Sequence, residues 1–82
     1  MYLNPKDAFV AVEYNDDYNM RFHYAWELKD GKILVAEYIS ENYPSFSIFT
    51  FDSLEEYLEA IEGVDWIIEN VDLEDLKKKV AV

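Results

Sequence analysis

MRFHYAWELKDGKILVAEYI, residues 20–39, is the stretch that decides how this chain folds. Met20, Phe22, Tyr24, Trp26 and Leu28 alternate with Arg21, His23, Ala25 and Glu27, the period of two that a strand shows when one face covers a core. Asp30-Gly31 follows, a pair that favours the type I′ turn of a two-residue hairpin loop. Residues 33–39 then supply the return strand. With Asp30 and Gly31 as the two loop residues, Leu28 pairs with Ile33, Trp26 with Val35, Tyr24 with Glu37 and Phe22 with Ile39. Three of these four pairs are apolar on one side, so turn and pattern agree on that register. Glu37 is the misfit. It is expected at the margin of the buried face or accepting a hydrogen bond, with Tyr24 as the candidate donor. The opposite face then displays Arg21, His23, Glu27, Lys29 and Lys32.

Moving outward from the hairpin, residues 9–14 are rich in β-branched and aromatic side chains and read as a first strand, with a short amphipathic helix as the alternative. The Asn15-Asp16-Asp17-Tyr18-Asn19 segment is a loop by composition. Asn4-Pro5 supplies a cap and first position for no more than a short turn. On the other side, Glu41-Asn42-Tyr43-Pro44 breaks the return strand, and residues 45–51 (SFSIFTF) form a fourth. That strand has aromatic residues on both faces, so part of it is either covered by helices or left open.

Helical periodicity begins after Phe51. Leu54, Tyr57, Leu58 and Ile61 recur at the spacing of a helix that buries one face. Asp52 and Ser53 each sit three residues before a glutamate, so either fits a capping box, and Gly63 is the natural C′ residue. Residues 64–68 fit a short second helix with Trp66 and Ile67 or Val71 turned inward. Asp72 caps a last helix over residues 73–80, with Leu73, Leu76 and Val80 as its apolar stripe and Lys77, Lys78 and Lys79 at the end that complements the helix dipole. The expected architecture is α+β in two layers. A four-stranded antiparallel, meander-like sheet over about residues 8–51 is followed by an acidic helical segment, residues 52–80, packed on one sheet face. The whole chain, residues 1–82, reads as one domain.

Composition narrows the function classes. Hydrophobic residues make up 51% and aromatics 17%, too many for a disordered acidic chain. There is no cysteine, hence no disulfide framework or thiolate metal site. The stretch MYLNPKDAF has the pattern of no secretory signal, and no apolar run approaches the roughly 18 residues of a membrane span, so a cytoplasmic protein is expected. Eighteen acids against seven bases give a net charge of −11, enough to repel nucleic acid and anionic membranes. The natural partner is a basic protein surface.

No cofactor or metal is expected. Two glycines leave no phosphate-binding loop, and neither Asp-rich segment has the spacing of a calcium loop with its glycine. His23 reads as an exposed strand histidine without a nucleophile or orienting acid, and no enzymatic reaction is expected. The distinctive feature is the run from Asp52 to Asp75, which carries Asp52, Glu55, Glu56, Glu59, Glu62, Asp65, Glu69, Asp72, Glu74 and Asp75 and not one lysine or arginine. Helices that need only solubility gain from Glu–Lys pairs four residues apart, whereas Glu55/Glu59 and Asp65/Glu69 are like-charged at that spacing. If the run were continuously helical, one charge would fall about every 3.6 Å, close to the roughly 3.4 Å phosphate spacing of one DNA strand.

These ten residues therefore define the candidate partner-binding surface of a non-enzymatic inhibitor. It would dock as a nucleic-acid mimic on a basic, nucleic-acid-handling enzyme, in the manner of phage anti-defence proteins, with exposed aromatics such as Tyr18 or Tyr43 as anchors. Three alternatives stand beside it: an immunity or antitoxin protein against a basic toxin, an adaptor that self-associates through a sheet edge or the aromatics of residues 46–51, and adaptation to high salt.

Overall fold

The computed structural model describes residues 3–16, 18–40 and 43–80, residue 80 by its backbone alone. Asp17, Glu41 and Asn42 of the expected loops, and the Val80 side chain of the last apolar stripe, lie outside the described residues. A short 3₁₀ turn, Pro5–Asp7, is capped by Asn4, whose Oδ1 accepts from the Lys6 N–H at 2.9 Å. Four strands follow: β1 (Val10–Asn15), β2 (Met20–Glu27), β3 (Ile33–Ser40) and β4 (Ser45–Phe51). They form one antiparallel sheet in the order β1-β2-β3-β4, the expected meander. Three helices close the chain: α1 (Leu54–Ile61), α2 (Asp65–Ile68) and α3 (Leu73–Val80). The architecture is α+β, with the helices packed against one face of the sheet.

The helix boundaries follow local chemistry. Ser53, not Asp52, is the N-cap of α1: its Oγ accepts from the Glu56 N–H at 3.1 Å, while the Glu56 carboxylate accepts from the Asp52 N–H at 3.2 Å. Asp72 serves the start of α3 in the same way, its Oδ1 accepting from the Asp75 N–H at 3.0 Å. Among the described residues no helix is long and apolar enough to cross a membrane.

The hairpin register differs from the sequence reading by one residue. Glu27 pairs with Ile33, Ala25 with Val35, His23 with Glu37 and Phe22 with Tyr38. The loop holds three residues, Lys29, Asp30 and Gly31. The Gly31 N–H donates to the Leu28 carbonyl at 3.0 Å, and the Leu28 N–H donates to the Lys32 carbonyl at 2.8 Å. Gly31 has a φ of 87°. This is the three-residue hairpin, a turn followed by a left-handed glycine in a bulge, and not the two-residue type I′ loop. The Asp30 side chain fixes it further by accepting from the Lys32 N–H at 3.0 Å.

Because side chains alternate along a strand, a shift of one residue turns the partner strand over. On β3 the expected inward residues, Ile33 and Val35, do face the helices. On β2 the faces are exchanged. His23 and Ala25 point into the core, and Phe22, Tyr24 and Trp26 point to the other side with Leu34, Ala36 and Tyr38. The inner surface of the sheet is thus made of small and β-branched residues, Val10, Val12, Ala25, Ile33 and Val35. Onto this low relief the helices lower Tyr57, Leu58, Ile61, Ile67 and Leu76. Large side chains from one layer filling above small ones of the other is the volume matching that a close-packed core requires. Phe51, Trp66 and Val71 pack at its edges, so Ile67, with Trp66 and Val71 beside it, turns inward as the spacing predicts.

The two glycines offer a direct check on this turn. A Cβ at either meets nothing within 4 Å, so only backbone conformation separates them. Gly31→Ala forces alanine into the left-handed region and should cost about 1–2 kcal/mol in urea unfolding. Gly63, whose φ is not positive, should tolerate alanine and gain roughly 0.4–1 kcal/mol. Equal effects at the two sites would contradict the left-handed conformation of Gly31.

Candidate functional site

All ten acidic residues from Asp52 to Asp75 are exposed. Among the described residues none of them is bridged to a lysine. They do not form one even comb, however. The backbone leaves helical geometry between α1 and α2 and again between α2 and α3, so the row of charges that a continuous helix would make is broken into three groups. Glu55, Glu59 and Glu62 project from α1 and its C-terminal cap with no hydrogen-bonding task of their own. Asp65 and Glu69, from α2 and its cap, line a cleft of about 330 Å³ together with Tyr14, Asp16, Asn19, Arg21 and Trp66. Asp72 and Asp75 line a shallower groove beside Phe9, Val10 and Ala11 of the β1 edge. Glu56 and Asp72 spend a carboxylate oxygen on helix capping, which ties them to local structure.

The loop before β2 adds an acid of a different kind. Asp16 accepts from the backbone N–H groups of Tyr18 at 2.8 Å and Asn19 at 2.7 Å, and these bonds hold its carboxyl below the usual range. That accounts for the tight turn on which Tyr18 stands exposed. Tyr43 is similarly exposed two residues before β4, so both candidate anchors are accessible.

His23 requires a correction. The sequence pattern places it on an open polar face opposite Tyr38. In the structure it is 2% exposed, opposite Glu37, beneath α1 and α2. Nδ1 lies 3.0 Å from Glu37 Oε2 and Nε2 lies 2.8 Å from the Tyr57 hydroxyl. A carboxylate only accepts, so Nδ1 carries the proton and donates to Glu37. The neutral ring then accepts from Tyr57 at Nε2. The Tyr57 ring stacks at 5.9 Å and Trp66 meets the imidazole edge-on at 6.2 Å. Arg21, two residues before His23, lies over the Trp66 ring at 5.7 Å. Desolvation lowers the His23 pKa, opposed by the Glu37 carboxylate, and desolvation raises that of Tyr57, joined by the Glu37 charge. Both imidazole nitrogens are engaged inside the core, so the group is a buried polar clasp between sheet and α1. Glu37 does accept a hydrogen bond as expected, but from His23. Tyr24 instead donates to Glu13 on β1, and that bond raises the Tyr24 pKa.

The surface that sequence reasoning missed is the uncovered side of the sheet. It is not the mixed polar face of Arg21, His23 and Glu27 that the two-residue loop implied. Phe22 stacks on Tyr38 at 5.3 Å and contacts Tyr24 at 5.3 Å, and Tyr24 meets Trp26 at 6.0 Å. The 3₁₀ turn closes one end of this row, where Trp26 Nε1 donates to the Asn4 carbonyl at 2.9 Å. Toward β4 the row is open, with Phe46 59% and Ile48 63% exposed. The available signal was the third loop position of Gly31, which would have reversed β2.

Removing only the hydroxyl, Tyr57→Phe should cost about 1–3 kcal/mol because His23 Nε2 loses its donor in a buried site. The pH dependence has a definite sign. A histidine whose folded pKa lies below the ordinary value of 6.5 favours the neutral form. Its contribution is complete above about 6.5 and is lost as pH falls through the folded pKa. The stability gap between wild type and His23→Gln should therefore narrow on acidification below about 6.5, measured by urea unfolding of both proteins at each pH. A widening gap would overturn the neutral-imidazole assignment. No family model, curated protein or solved structure matches this chain.

Proposed function

We propose that this protein is a non-enzymatic binding protein whose acidic helical layer docks on the basic, nucleic-acid-binding surface of a partner enzyme and blocks it. The observation that carries the reading is the set of ten exposed carboxylates between Asp52 and Asp75, none of them bridged to a lysine among the described residues. Unpaired like charges held on short, packed helices raise the free energy of the isolated protein, and a basic surface relieves that repulsion. Glu55, Glu59 and Glu62 share α1 and its cap and have no capping or cleft-lining role, so they are the charges to test. Such docking competes with phosphate for the same lysines and arginines, in the way a nucleic-acid mimic does, and weakens as salt rises. A second reading, an adaptor that assembles through its sheet, draws support from the aromatic row that the helices leave open.

The test begins with capture from the source cell on immobilised protein at low salt, followed by salt elution. Basic nucleic-acid-handling enzymes should elute, and duplex DNA should compete for them. Reversing Glu55, Glu59 and Glu62 together to lysine should weaken binding at least about tenfold, or roughly 1.4 kcal/mol, with an unchanged circular dichroism spectrum. Affinity that is indifferent to both the reversal and the salt would overturn the proposal.

A further inference from the structure

The two edges of the sheet are built differently. β1 carries Glu13, whose carboxylate is held by the Tyr24 hydroxyl, and its first half is flanked by Asn70, Asp72 and Asp75. Charge and a covering segment are the usual guards against unwanted strand pairing. β4 has neither. Among the described residues it pairs only with β3, through seven consecutive residues without a bulge. From Tyr43 to Phe51 the sequence YPSFSIFTF contains no ionisable group except the Tyr43 phenol, and its one proline precedes the strand. Residues 45–50 are exposed, so the helices shelter neither side of β4 until Phe51. Phe46, Ile48 and Phe49 are 59%, 63% and 37% exposed. A long, flat, apolar and uncharged edge in a protein of net charge −11 is a place where another strand adds.

We infer that this edge joins two copies of the chain, β4 against β4, antiparallel about a two-fold axis through Ile48. The sequence of the strand selects the occupant. Ile48 is the central residue of SFSIFTF, so the two-fold places Ile48 opposite Ile48 and Phe46 opposite Thr50 on the uncovered face. Ser47 then lies opposite Phe49 and Ser45 opposite Phe51 on the helix-bearing face. Each phenylalanine thereby meets a small or β-branched residue, with no clash of rings and no like-charge pair. β1, β2 and β3 each contain at least one Asp, Glu, Lys or Arg, and β4 contains none, so a second copy of this strongly negative chain meets the least repulsion along this strand. The seven residues give about 24 Å of edge. That is small beside a standard interface of about 800 Å² per partner, so the dimer is a reversible one that depends on concentration.

The chain has no cysteine, which makes single-cysteine variants clean reporters. Sedimentation of the intact protein over a dilution series should show a monomer–dimer equilibrium that shifts toward dimer as salt is added, because salt screens the repulsion between copies. This is opposite to the salt response of docking on a basic partner, so the two readings fail separately. Under mild oxidation at a concentration where dimer dominates, Ile48→Cys should cross-link to dimer almost completely. Phe46→Cys, displaced by about four residues from its own copy, and Phe22→Cys, on the open face of β2, should remain uncross-linked. A monomer at every concentration and salt overturns the inference. So does cross-linking as strong at Phe22→Cys as at Ile48→Cys, which would mean that the sheets pack face to face.

Discussion

Gly31, with a φ of 87°, takes the third loop position while the φ of Asp30 is not positive, and the register of that loop sets the side on which every residue of β2 stands. With that glycine in the third loop position, the Leu28 carbonyl and N–H are both satisfied across the turn, and Glu27 is brought opposite Ile33. From there the alternation of side chains is fixed. His23 and Ala25 go inward and Phe22, Tyr24 and Trp26 go outward. The inner face becomes low enough in relief for Tyr57, Leu58 and Ile61 of α1 to join Val10, Val12 and Val35 in one buried core. A two-residue loop would have offered the helices a ridge of three aromatic rings and left His23 in water.

The chosen arrangement carries a cost that the core has to resolve, because it buries an imidazole and part of a carboxylate. The resolution is local and complete. Glu37 sits directly across the ladder from His23 and takes the Nδ1 proton, and Tyr57 descends from α1 to satisfy Nε2. A half-satisfied polar cluster is worse than an apolar core, whereas a fully connected one fixes geometry as well as energy. The tyrosine hydroxyl can reach Nε2 only when α1 lies at one height and rotation above the sheet. The clasp therefore sets the docking of the helical layer that carries Glu55, Glu59 and Glu62.

What was legible in the sequence and what was not divide along the same line. Strand positions, the meander-like sheet and the Asp72 cap of the last helix all arise from signals within a few residues, and the structure reproduces them, while it decides for Ser53 over Asp52 and for Ile67 over Val71 where the spacing leaves both open. The exposure of the ten acids was equally local. The faces of β2 were not, because Asp30-Gly31 serves two turn types that differ by one residue of register. Both registers give a plausible apolar side, since β3 offers Ile33 and Val35 on one face and Leu34, Ala36 and Tyr38 on the other. Packing against β1 and the helices decides between them, and that is information from distant parts of the chain. His23, the aromatic row and Glu37 were misplaced together, as consequences of a single step.

The distribution of charge then connects the two surfaces. A two-fold axis that pairs β4 with β4 stands perpendicular to the sheet, because residues opposite each other in an antiparallel ladder point to the same side. Both helical layers of such a pair lie on one face of an eight-stranded sheet, and the two aromatic rows run together on the other. The acids of the two copies are consequently presented on the same side, which strengthens the field toward a basic partner and raises the repulsion within the pair. A partner broad enough to span both layers would relieve that repulsion and gain from simultaneous engagement, since the second contact forms at high effective concentration. In such a pair the uncharged edge and the acidic run from Asp52 to Asp75 would be complementary features. One would let copies approach where they repel least, and the other would concentrate negative charge toward a third molecule.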